Sequence, residues 1–200
     1  MCKILYTCIS LCLTIIKNIG GERKLKKQIF SLFLICIALL IGCSKKETFE
    51  NFFYTTMDKM HKGEKNYSLI HKETNVVHEN DAIAIFVEND QQEEVIFIAY
   101  FEKEKGRWNW RQTRGAKWDS PIKWSLMNQV PYIYSGAIND KSISKIYAGE
   151  KPAKIIEVKG DKRFWYAISD VKDVQVKAVK IDGTQEIIEE TDENLYKVDY

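Results

Sequence analysis

The chain carries three imidazoles, His61, His71 and His78. His71 and His78 flank a turn over residues 72–77, with Glu73, Glu79 and Asp81 beside them. Imidazole and carboxylate together are ligands for a divalent cation. This spacing matches no common zinc pattern, and surface histidines next to acids are ordinary, so the sequence predicts no metal and no cofactor. Nucleophilic chemistry is poorly supplied too. No Gly-x-Ser-x-Gly elbow and no phosphate-binding glycine loop occurs. The acid pairs Glu93-Glu94 and Glu189-Glu190 read as solvated turns and edge strands. A glycosidase-like carboxylate pair is the enzymatic alternative that sequence leaves open.

The densest feature is aromatic. Trp108, Trp110, Trp118 and Trp124 fall within seventeen residues. In Arg107-Trp108-Asn109-Trp110-Arg111, alternation puts the two indoles on one face and the polar residues on the other. Two readings follow. One is a core layer with cation–π support from the arginines. The other is an exposed platform for a sugar, peptidoglycan or a peptide, since exposed tryptophans serve as anchors.

Cysteine use is lopsided. Cys2, Cys8, Cys12 and Cys36 precede Cys43, and none follows it. Cys43 ends Leu40-Ile41-Gly42-Cys43, which closes an apolar run from Ile29 behind the basic cluster Lys24, Lys26, Lys27. A basic flank, a short apolar core and small residues make a secretory signal. The run is too short to span a bilayer comfortably, because a span needs about 20 apolar residues.

With that ending, residues 24–43 resemble a bacterial lipoprotein signal with its lipobox. The resemblance implies that a diacylglycerol is placed on the Cys43 sulfur and that the chain is cut between Gly42 and Cys43. A thiolate is the soft nucleophile that such a thioether requires. It implies an address on the outer face of a Gram-positive membrane, held by a lipid anchor such as palmitate. One acyl chain binds a bilayer only marginally, and two or more hold it stably. Residues 1–24 exceed what such a signal needs. Gly20-Gly21-Glu22 is what a purine-rich ribosome-binding sequence encodes, and Leu25 can be written with an alternative start codon. Initiation at residue 25 is therefore expected. The rival is a real first hydrophobic helix over residues 4–16, short for a span.

Removing the signal changes the charge. Residues 1–43 hold six of the thirty Lys and Arg and one of the twenty-eight Asp and Glu, leaving 24 and 27, a net −3. No basic field for nucleic acid is expected. The exported part has no disulfide and no thiol nucleophile, so its stability must come from an apolar core.

The elements that position these residues read as an α+β chain. Residues 1–42 are the signal and 43–48 a lipidated tether. Residues 49–128 are a helix plus an antiparallel meander, and residues 129–200 are an all-β sandwich of immunoglobulin-like type. Residues 47–62 read as a helix capped by Thr48 and ended by Gly63. Phe49, Phe52, Phe53, Met57 and Met60 form its apolar stripe, which is either a packing face or the sticky side of a partly ordered tether. The period then changes to two, with strands predicted over 68–71, 82–88, 94–103 and 107–113. Residues 95–101 are apolar on both faces, which predicts a central strand covered on both sides, one side by the helix. Residues 114–130 read as an irregular linker. Six short strands are predicted after it, over 132–138, 143–148, 153–158, 163–169, 174–181 and 184–189, around Trp165. Asp182-Gly183 is a hairpin signal. Loosely, this second half resembles sandwich domains of uncharacterised Bacillus-type surface lipoproteins.

These features point to a non-enzymatic envelope protein with a protein or cell-wall partner. The alternatives are a small-ligand (sugar or peptide) binder using the tryptophans and an envelope hydrolase.

Overall fold

Among the described residues, one short helix and twelve strands build the fold. The computed structural model describes residues 47–64, 66–90 and 93–190. The signal, the lipobox with Gly42 and Cys43, and the expected start at residue 25 lie outside the described residues.

Helix α1 (Phe49–Met60) begins where the Thr48 hydroxyl accepts the Asn51 N–H at 3.2 Å. It ends before Gly63, whose φ of 85° suits only a residue without a side chain. Phe49, Phe53 and Met57 are its buried face. Strands β1 (Tyr67–Thr74), β2 (Asp81–Asp90), β3 (Glu93–Glu104) and β4 (Arg107–Ala116) form an antiparallel meander in that order. The β3–β4 turn is Lys105-Gly106, both at positive φ, the geometry that matches strand twist in a two-residue hairpin.

The remaining strands form two further sheets. One orders β5 (Ser125–Met127), β6 (Tyr132–Ile138), β10 (Lys162–Ser169) and β9 (Lys154–Lys159). The other orders β12 (Gln185–Ile187), β11 (Val176–Lys180), β7 (Ile143–Ala148) and β8 (Lys151–Pro152). All pairings between these named strands are antiparallel, and the architecture is compatible with a β-sandwich.

Three apolar cores stack these elements into four layers. Phe53, Met57, Phe86, Phe97 and Phe101 pack helix against first sheet. Ile83, Ile85, Ile96 and Ile98 pack the opposite face of that sheet onto Met127, Ile133, Phe164 and Tyr166 of the second. Leu126, Tyr134, Ile138 and Trp165 pack the second sheet onto Ile143, Ile146, Val176 and Ala178 of the third. Strand β3 is thus covered on both faces, one of them by the helix, as its composition predicts. Strands β2, β6 and β10 are covered on both faces in the same way, β10 sending Phe164 and Tyr166 one way and Trp165 and Ala167 the other.

The segment expected to be an irregular linker is partly ordered ladder. Strand β4 runs on to Ala116, Ile122 bridges Ile138, Trp124 bridges Glu190, and β5 pairs with β6. Burial decides this. Ser125, Leu126 and Met127 are all buried, and buried backbone must find hydrogen-bond partners, which β6 supplies here. The core between first and second sheets therefore draws on residues from both sides of position 128.

Candidate functional site

The predicted site residues do not converge. Trp108 and Trp110 share one face of β4, as alternation requires, and that face lies under the helix. Trp108 is buried edge-on to Phe49 at 5.0 Å, and Trp110 packs on Phe101 at 4.7 Å. Trp118 packs at the margin of the core between first and second sheets. Its Nε1–H points to the Arg163 carbonyl at 3.4 Å, and the Lys162 ammonium sits 4.5 Å from its ring. Trp124 packs at the core between second and third sheets and donates Nε1–H to the Ile188 carbonyl at 2.8 Å. Four indoles close in sequence thus serve three separate cores. The cation–π partners near Trp108 and Trp118 are Lys103 and Lys162.

The histidines are likewise dispersed, each beside its own acid. His61 Nε2 lies 3.3 Å from Glu88, at the C-terminal end of the helix. His71 Nε2 lies 3.5 Å from Glu73, and His78 lies 3.4 Å from Asp81 and 3.5 Å from Glu102. Among the described residues, no group of three or more His, Cys, Asp and Glu is placed to hold a metal ion.

Two polar constellations stand out. At one end of the first sheet, the fully buried Asp81 carboxylate accepts the backbone N–H groups of Val76, Val77 and His78 at 2.6, 2.9 and 2.9 Å. It also accepts the Tyr100 hydroxyl at 3.2 Å. Burial, then the charges of Asp81 and Glu102, push the Tyr100 phenol well above its ordinary range. The phenol is a fixed donor. Arg111 spans Glu102 and Glu104 beside it. The second constellation bridges two sheets. Glu73 on β1 accepts the Tyr166 hydroxyl and the Lys154 ammonium, each at 2.6 Å. The Lys154 hydrogen bond, then that of Tyr166, pulls Glu73 down to about 2 against the opposing effect of burial. Burial, then Glu73, pushes the Tyr166 phenol up. Such a pair stays ionised as carboxylate and neutral as phenol across ordinary pH, which makes it a clamp and not an acid–base couple.

Neither constellation was legible as such in the sequence. Tyr166 and Lys154 lie 93 and 81 positions from Glu73. Only the turn residues Asn75, Asn80 and Asp81 gave a local signal, that of side chains which bond nearby backbone.

A cleft of about 60 Å³ opens between the end of β4 and the β5–β6 pair, lined in part by Lys117, Asp119, Lys123, Trp124, Ser125 and Ser135. Its floor is Gly136, where a Cβ would lie 2.0 Å from the Lys123 carbonyl oxygen. Comparison of the chain with protein-family models, with curated proteins and with solved structures finds no match.

Proposed function

We propose that the protein is a lipid-anchored, non-enzymatic binding module of the cell envelope, tethered through Cys43 on the outer face of the membrane. The observation that carries this reading is Leu40-Ile41-Gly42-Cys43 behind a short apolar run and a basic flank. Among the described residues, no helix is long and apolar enough to cross a membrane. Four polar side chains that could do chemistry, Asp81, Glu73, Tyr100 and Tyr166, are engaged in holding elements together. That engagement supports binding over catalysis.

The order β5-β6-β10-β9 facing β12-β11-β7-β8 follows the A-B-E-D and G-F-C-C′ order of an immunoglobulin-like sandwich, with the meander and helix added on the outer face of its first sheet. Domains of that architecture commonly present loops and edges to a protein or cell-wall partner.

The cleft beside Trp124 supports a second reading, a small polar ligand held by Lys123 and the serines. Its volume weighs against that reading, because ligand pockets run to about 300–1,000 Å³.

Metabolic labelling with a radioactive fatty acid tests the main proposal. Label on the wild-type chain, none on Cys43→Ala, and loss of the variant from the membrane fraction are expected. An unlabelled wild-type product would refute the anchor.

A further inference from the structure

We infer that the folded unit stands on the bilayer with one particular end down, the end formed by the start of α1, the β1–β2 loop and the β3–β4 turn, with the loops bearing Val130 and Val171 beside them. The inference rests on the lipid-anchor proposal and adds an orientation and a contact surface to it.

Chain length bounds how far the anchor lies from the folded unit. Glu47 is held at the folded unit, where its carbonyl oxygen accepts the Lys103 ammonium at 3.4 Å and Thr48 caps the helix. Cys43 is four residues earlier. A fully extended chain covers at most about 3.5 Å per residue, so the lipidated sulfur is within about 14 Å of Glu47 along the chain. A unit of this length is about 40 Å across. A tether that short keeps the end bearing Glu47 near the headgroups and cannot let the unit stand on its opposite end.

Register identifies what shares that end. Lys103 N–H bonds the Asn80 carbonyl at 2.7 Å, so the β3–β4 turn and the β1–β2 loop lie together beside the start of the helix. The second sheet runs in step with the first. Lys162 meets Glu94 toward the far end, and Tyr166 meets Glu73 toward the near end. Strand β10 continues from Tyr166 to Ser169, opposite Tyr132, so the loops holding Val171 and Val130 emerge at the near end.

The exposed apolar side chains agree. Val77 on the β1–β2 loop is 40% exposed, Val171 62% and Val130 73%. Each projects from a loop rather than a sheet face, which is how an apolar side chain reaches the headgroup region without unfolding its support. Among the described residues, the other large exposed hydrophobics are dispersed: Tyr54 on the helix, Ile187 on edge strand β12, and Ile181 at the β11–β12 turn at the far end. Basic and acidic groups alternate on the near end, with Lys105, Arg107 and Lys172 against Glu79, Glu104 and Asp173. The partner is therefore the lipid surface itself, reached by tether and apolar tips, and the orientation is expected to be the same on anionic and zwitterionic bilayers.

Single-cysteine fluorescence tests this on the full chain, isolated from membranes and reconstituted into phosphatidylglycerol–phosphatidylethanolamine vesicles that carry a nitroxide-labelled lipid. A lipidated Cys43 leaves an introduced cysteine as the reactive thiol. Val130→Cys, Val171→Cys and Ile181→Cys are exposed positions that leave the cores intact. Quenching of the fluorophore at 130 and 171, and none at 181, is the expected result. Equal quenching at all three, or none at 130 and 171 in protein that floats with the vesicles, overturns the orientation, leaves the anchor standing, and would point those side chains at a protein partner. Protein that fails to float and reacts with maleimide at Cys43 removes the anchor and the orientation with it.

Discussion

The Tyr166 hydroxyl of β10 donates to Glu73 Oε2 of β1 at 2.6 Å, joining two sheets through residues 93 positions apart. The same oxygen accepts the Lys154 ammonium at 2.6 Å. Since Glu73 is lowered from 4.5 to about 2, its contribution to stability is complete above about pH 4.5 and disappears as pH falls through about 2. The carboxylate is about a third exposed, so solvent screening limits the effect to about 1–2 kcal/mol. Acid titration of unfolding by circular dichroism should show that Glu73→Gln flattens the limb between these values. Tyr166→Phe should cost about 1 kcal/mol at neutral pH. A Glu73→Gln limb as steep as wild type would show that other carboxylates govern acid unfolding.

Gly136 is required by its neighbours. A Cβ there would lie 2.0 Å from the Lys123 carbonyl oxygen and 3.0 Å from Trp165 Nε1, and the first of these is backbone. Gly136→Ala should cost about 3 kcal/mol in urea unfolding through overpacking. Gly160→Ala, in an open turn with nothing within 4 Å and a φ of 61°, should cost only about 1 kcal/mol. Similar losses at both sites would mean that the β6 crossing relaxes easily.

Asp81 organises the β1–β2 loop from beneath. Replacing it with Asn removes the charge that three backbone N–H groups address and leaves one side-chain oxygen to accept them. The expected loss is about 3 kcal/mol. Hydrogen exchange should locate it, with the Val76, Val77 and His78 amides losing protection before the β3 amides do. Unchanged exchange at those three amides would contradict the geometry.

The helix is held by its stripe more than by its cap. Phe53 is fully buried against Phe86, Phe101 and Trp110. Phe53→Ala should therefore cost about 4 kcal/mol. Thr48→Ala, which loses one capping bond, should cost about 1 kcal/mol. Thermal unfolding of the two variants provides the comparison, and a cap effect larger than the Phe53 effect would reverse the ranking.

Local pattern determined much of this protein. The helix over residues 49–60 followed from a capping threonine and an apolar stripe at helical spacing, because both act within a few residues. The strands followed from two-residue alternation and from turn residues such as Lys105-Gly106 and Asp182-Gly183, because strand and turn preferences are also local. The doubly apolar run in β3 even told that both its faces would be covered. Only the tertiary structure decided what covers them. Nothing in Phe164-Trp165-Tyr166-Ala167 says which sheet receives the even-numbered residues and which the odd, since that depends on partners as far as 93 positions away. The same holds for the order in residues 114–130, for the allotment of four neighbouring tryptophans to three cores, and for the Glu73–Lys154–Tyr166 clamp. Alternation is a property of the backbone and can be read along the chain, whereas stacking order and cross-sheet contacts come from packing between distant segments.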